Sequence, residues 1–148
     1  MDRELAAYSE LPEVHGVFVC DNRGEVVASS SPSALATDSM ASVAREVVRT
    51  LSALQAAGRS ATCVQFEFDT WNLHARDLNG KGVLIVLAKP EADNALIRMI
   101  TEITAVTWQD DNKVAKTLNR RPADRRLLVG RESVDDVSRR SWAAFAGA

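Results

Sequence analysis

Cysteine and histidine are scarce in this chain: Cys20 and Cys63, His15 and His74 are all there are. The histidines lie far apart, and neither has a cysteine or histidine at ligand spacing, so no zinc pattern is present. Both cysteines fall inside apolar, strand-like runs, where reduced buried thiols fit better than a disulfide. Long hydrophobic runs are missing too. No stretch approaches the roughly 20 apolar residues that span a bilayer, and Met1-Asp2-Arg3-Glu4-Leu5 has no signal-peptide pattern. A cytoplasmic protein without membrane insertion is therefore expected. Charge of one sign is also lacking, the formal net charge being −2. That falls short of the basic clustering of a nucleic-acid binder, and no nucleic-acid partner is expected.

The common catalytic constellations are absent as well. There is no Gly-x-x-x-x-Gly-Lys-Ser/Thr loop, no Gly-x-Gly-x-x-Gly turn, no His-Glu-x-x-His helix and no Gly-x-Ser-x-Gly elbow. Cys20 and His74 have no activating motif around them, and thiolate chemistry needs a defined basic environment. Glu67 and Asp69 share one strand face, where acids are more often solvated or partner-facing than an acid/base pair. The chain reads as a non-enzyme with no cofactor and no metal.

What is present is an ordinary globular balance, 46% apolar and 26% charged in 148 residues, the size of one domain. The charge is unevenly placed. Residues 1–118 hold 11 Lys+Arg against 16 Asp+Glu, whereas residues 119–148 hold 7 Arg against 4 acids. This divides the chain into a domain over 1–118 and a basic C-terminal extension over 119–148.

Along the chain, Asp2 to Leu11 spaces Leu5, Ala6, Tyr8 and Leu11 as a short amphipathic helix ended by Pro12. Val14 to Cys20 is a β-branched strand, Asp21-Asn22-Arg23-Gly24 a turn, and Glu25 to Ser29 the returning strand. After a loop holding Pro32, Thr37 or Asp38 caps a long helix to about Ala57, with Gly58 as its stop. Its apolar positions Met40, Val43, Ala44, Val47, Val48, Leu51 and Leu54 form a stripe roughly 140° wide. Ser42, Arg45, Glu46, Arg49 and Ser52 are read as its outward side. Ser60 to Asp69 alternates, with Thr62, Val64, Phe66 and Phe68 on one face and Cys63, Gln65, Glu67 and Asp69 on the other.

Trp71 to Leu78 continues that alternation, Asn79-Gly80 marks a hairpin, and Gly82 to Ala88 is a wholly apolar central strand closed by Pro90. Helical period returns from Glu91. It sets Leu96, Ile100, Ile103 and Thr107 on one side with Ile97, Val106 and Trp108 near it, and runs on through Val114 and Leu118. Ser133 to Phe145 opens with a capping box at Ser133 and Asp136. It aligns Val134, Val137, Ser141 and Phe145, with Trp142 beside them, as a short amphipathic helix. The core-facing set Val17, Val19, Val64, Phe66, Leu84, Val86 and Ile100 is expected to be fully apolar, which argues against the polar pocket of a small-molecule sensor.

The order helix, strand, strand, helix, three strands, helix resembles the roadblock / dynein light chain domain family, including its bacterial MglB-like members. The resemblance covers about residues 3 to 108. It rests on Val14-His15-Gly16-Val17-Phe18-Val19-Cys20-Asp21-Asn22-Arg23-Gly24-Glu25-Val26-Val27-Ala28, on the long helix ending in Gly58, and on Gly82-Val83-Leu84-Ile85-Val86-Leu87 leading into Asn94-Ala95-Leu96-Ile97-Arg98.

The resemblance implies an α/β (α+β) fold with a five-stranded antiparallel sheet in the order 2-1-5-4-3. The second helix covers one face and the first and third the other; the C-terminal helical extension read from the residues lies outside the resemblance. It also implies a homodimer or heterodimer through the third strand and second helix, so Thr62, Val64, Gln65, Phe66, Glu67 and Phe68 become the dimer interface. Members of this family are platforms for small Ras-like GTPases or adaptor subunits, and MglB-like ones stimulate GTP hydrolysis by repositioning the GTPase's own residues. The implied function is a dimeric, non-catalytic regulator or binding platform for a small Ras-like GTPase, touched through Ser42, Arg45, Glu46, Arg49 and Ser52. The alternative is a scaffold subunit with no GTPase contact. The residues by themselves agree on one point: a long, regular, apolar-faced strand left at a sheet edge invites pairing with a twin.

Overall fold

A computed structural model describes residues 1–30, 37–59 and 61–119, without the side chains of Thr37 and Asp38. The cap expected at Thr37 or Asp38, the Pro32 loop and the helix expected over Ser133 to Phe145 lie outside the described residues. The elements are α1 (Asp2–Ser9), β1 (Val14–Asp21), β2 (Val26–Ser30), α2 (Thr37–Ala56), β3 (Cys63–Glu67), β4 (Asn72–Asp77), β5 (Gly82–Ala88), α3 (Asn94–Gln109) and α4 (Asn112–Leu118). The strands form one antiparallel sheet in the order β2-β1-β5-β4-β3. The apolar β5 lies at its centre, flanked by β1 and β4, and is buried along its whole length.

Turn chemistry sets the register. The Asp21 carboxylate accepts from the Arg23 and Glu25 amides at 2.9 and 3.0 Å, folding the β1–β2 turn around itself. Gly24 closes that turn at φ +88. A side chain there would meet α2, since a Cβ would lie 2.7 Å from Arg45 Cα. The far end of α2 stops as its sequence indicates. Gly58 takes φ +78, its amide bonds the Gln55 carbonyl and the Arg59 amide bonds the Leu54 carbonyl, the paired bonds of a Schellman motif.

Strand alternation divides the core in two. Phe18, Cys20, Leu73, Ala75, Val83, Ile85 and Leu87 meet Met40, Val43, Ala44 and Val47 of α2. On the other face Val17, Val19, Leu84 and Val86 meet Leu5 and Tyr8 of α1, Ile97 and Trp108 of α3, and Val114 and Leu118 of α4. The expected single helix through Leu118 is two: α3 ends at Gln109, and the Asp111 carboxylate accepts from the Lys113 and Val114 amides to start α4.

The expectation of a wholly apolar core also needs correcting. Val64, Phe66 and Ile100 are only half-buried. More telling, β4 turns Asn72, His74 and Arg76 to the α3 side, and all three are buried. Arg76 Nε donates to Thr101 Oγ1 at 3.0 Å, and its Nη2 donates to the Arg98 carbonyl at 3.1 Å. The Thr104 hydroxyl donates to the Ile100 carbonyl at 2.9 Å, so Tyr8, 2.6 Å away, is its donor. Ile97, Thr101, Thr104 and Trp108 therefore form the inward line of α3. The expected line is turned outward, with Leu96, Ile103 and Thr107 exposed. A buried donor left without an acceptor costs about 1–3 kcal/mol, more if charged, and the threonines supply the oxygens.

Burial raises the Tyr8 pKa and lowers that of His74. For His74 the Asn94 side chain opposes the shift and the Arg98 charge adds to it, while neither ring nitrogen is in hydrogen-bond geometry.

Two outcomes follow for stability. Gly24→Ala meets both a left-handed backbone and the α2 backbone, and should cost about 2 kcal/mol or more in a denaturant titration. Gly58→Ala has nothing within 4 Å and should cost only about 1 kcal/mol. For His74 the sign is fixed by its lowered folded pKa. Above pH ~6.5 both states are neutral; below it the unfolded chain protonates first, so stability falls, at most about 1.4 kcal/mol per pH unit. His74→Gln should remove that part of the slope between neutral and mildly acidic pH.

Candidate protein interaction surface

The candidate surface begins at the open edge of the sheet. β3 is the last strand, bonded to β4 on one side only. The Asp77 amide donates to the Thr62 carbonyl and the Phe68 amide to the Trp71 carbonyl, so even-numbered residues direct their backbone groups to β4. In an antiparallel ladder alternate residues point opposite ways. The outward N–H and C=O groups hence belong to Cys63, Gln65 and Glu67, a ready template for another strand.

Side chains along this edge are partly covered. Val64, Gln65, Phe66 and Phe68 are half-buried, and Thr62 and Glu67 exposed. Phe66 and Phe68 pack against the α2-side core, as do Val48 and Leu51, which are also half-buried. Phe68 stacks on Trp71 with centroids 4.3 Å apart, and Gln65 Nε2 donates to Glu67 Oε1 at 3.0 Å. The edge is thus apolar on its α2 side, and the chain itself only half covers it.

The structure divides the expected outward residues of α2. Arg45, Arg49 and Ser52 are exposed, and half-buried Glu46 pairs with Arg49 at 3.6 Å. Ser42 does not belong with them: it is 1% exposed. Arg45, one turn on, lies against the Gly24 turn. Periodicity put Ser42 opposite the core stripe, and it carries no record of contacts from distant segments.

A second surface escaped the sequence reading. Leu96, Met99, Ile103 and Val106 stand exposed on α3. The available signal was the equally good helical spacing of Ile97, Thr101, Thr104 and Trp108, together with polar His74 and Arg76 in a strand beside the most apolar one.

Cys20 and His74 are not brought together. Cys20 points to the α2 side and His74 to the α3 side of the sheet. Burial, with the Asp21 charge adding, pushes the Cys20 thiol up to about 12, far from a thiolate. Among the described residues no group of three His, Cys, Asp or Glu side chains is placed to hold a metal, and no helix is long and apolar enough to cross a membrane.

No protein-family model and no curated protein matches this chain. Solved structures do. A roadblock/LC7 domain from Streptomyces avermitilis is 20% identical, over 74% of this chain and 94% of its own, with a TM-score of 0.65. Myxococcus xanthus MglB is 16% identical, over 72% of this chain and 92% of its own, at 0.60. An MglB described in a tetrameric arrangement is 16% identical, over 79% and 90%, at 0.63. With the sheet order and helix layers above, these likenesses lead to one conclusion: the chain has the roadblock fold in the form found in MglB.

Proposed function

We propose that this chain is a dimeric, non-catalytic regulator or binding platform for a small Ras-like GTPase. The observation that carries the reading is an open β3 edge together with an α2 helix whose Arg45 and Arg49 are exposed, in a fold shared with MglB. Two copies of β3 paired about a two-fold axis would bond through Cys63, Gln65 and Glu67 and cover Val64, Phe66 and Phe68, with Thr62 at the rim. The same axis brings the two α2 helices together, so that Arg45, Arg49 and Ser52 of both copies form one surface. The tetrameric MglB arrangement supports self-association in this fold.

On this reading Arg45 and Arg49 give the platform its positive charge, and Glu46 restrains Arg49. Ser42, being buried, is not a contact. The platform works by holding the GTPase's own catalytic groups in place; the chain itself performs no step of the hydrolysis.

The dimer and the platform have separate tests. Gln65→Pro removes an outward backbone donor while leaving the bonds to β4, so it should convert the dimer to a folded monomer by sedimentation with circular dichroism. A dimer that survives this change does not use the β3 edge. Arg45→Glu with Arg49→Glu should keep the dimer and weaken GTPase binding about tenfold or more. The GTPase is sought by pull-down from the source lysate, with GDP in one lane and a non-hydrolysable GTP analogue in the other. Retention mainly with the analogue is the expected result. Recovery of other proteins with no GTPase in either lane assigns the chain to the scaffold role instead.

A further inference from the structure

The large apolar side chains that the described residues leave exposed are all on α3: Leu96, Met99, Ile103 and Val106, at 38%, 51%, 59% and 63%. Their spacing of three, four and three residues puts them in one line, the pattern by which a helix receives another helix. The sheet is on the opposite side of α3, so no part of the core already described uses them.

We propose that this seam is the docking site for the chain's own segment 133–145. That segment carries the complementary pattern: Val134, Val137 and Phe145 on one line, with Trp142 beside it. The chain also passes close by. Leu118 shares a core cluster with Trp108 and Val114, so the described chain ends beside the C-terminal end of α3. From there residues 119–132 have a relaxed span of about 20 Å, comparable with the roughly 24 Å length of α3.

Area distinguishes the occupants. The four side chains offer roughly 400 Å², about half of what one partner of a stable complex buries. A separate molecule would hold such a patch weakly. A tethered segment meets it at an effective concentration in the millimolar range and needs no more. Charge does not oppose the contact: segment 133–145 balances Arg139 and Arg140 against Asp135 and Asp136, and α3 balances Arg98 against Glu102. Docking here leaves α2 and the β3 edge free, because α3 covers the other face of the sheet.

Hydrogen–deuterium exchange on the full chain tests the contact. Amides of 134–145 should exchange roughly tenfold or more slowly than in an unstructured segment, independently of protein concentration. Met99→Glu with Ile103→Glu should return them to the unstructured rate while exchange in β5 stays unchanged. Trp142→Ala with Phe145→Ala approaches from the other side and does not touch α3. It should release the same amides and speed peroxide oxidation of Met99 several-fold. Free exchange of 134–145 in the unaltered chain overturns the proposal, as does protection that survives the α3 substitutions. Protection that fades on dilution also overturns it, since the occupant is then a second copy.

Discussion

A guanidinium buried on the face of a sheet must be given acceptors, and much of this structure is arranged around doing so for Arg76. Its partners are neutral oxygens, the Thr101 hydroxyl and the Arg98 carbonyl, both on α3. Tyr8 and Thr104 repeat the arrangement between α1 and the next turn of α3. These bonds fix how α3 is rotated about its axis. Turning it to bury Leu96, Ile103 and Val106 would withdraw Ile97 and Trp108 from the core, so the apolar terms largely offset. Stripping a buried cation of its acceptors costs several kcal/mol with nothing to offset it. The polar term decides, and an apolar seam is left facing outward.

The opposite face works by other means. Phe18, Leu73, Ile85 and Leu87 meet the broad stripe of α2 without polar intermediaries, and the helix is positioned by packing and by its ends. Gly24 allows the β1–β2 turn to touch the α2 backbone at Arg45, and Gly58 ends the helix. α2 is thereby held on the same face of the sheet as Phe66 of β3, the strand whose outer edge is open. The two faces of the sheet are thus built differently, one by buried hydrogen bonds and the other by apolar packing and the ends of its helix.

The two exposed apolar regions differ in kind. That of β3 comes with unpaired backbone groups, which only another strand can satisfy completely. That of α3 belongs to a helix whose backbone is internally bonded, so it asks only for apolar cover. The first suits a large, symmetric interface and the second a small, tethered one.

Much of the fold was legible in the residues. β5 is a continuous apolar run and lies at the sheet centre; Asp21 to Gly24 and Asn79-Gly80 are the turns their chemistry dictates; the α2 stripe and its Gly58 stop can be read directly. Such features depend on neighbours in sequence, and local rules capture them. The sheet order came with the resemblance to a known family, because pairing between distant strands leaves little local trace. The burial of Ser42, the break at Asp110-Asp111 and the rotation of α3 were decided only in the folded chain. Two helical lines of equal regularity exist on α3, and the sequence cannot choose between them. The choice depends on Arg76 and Tyr8, brought from distant segments, whose buried hydrogen-bonding groups have to be satisfied.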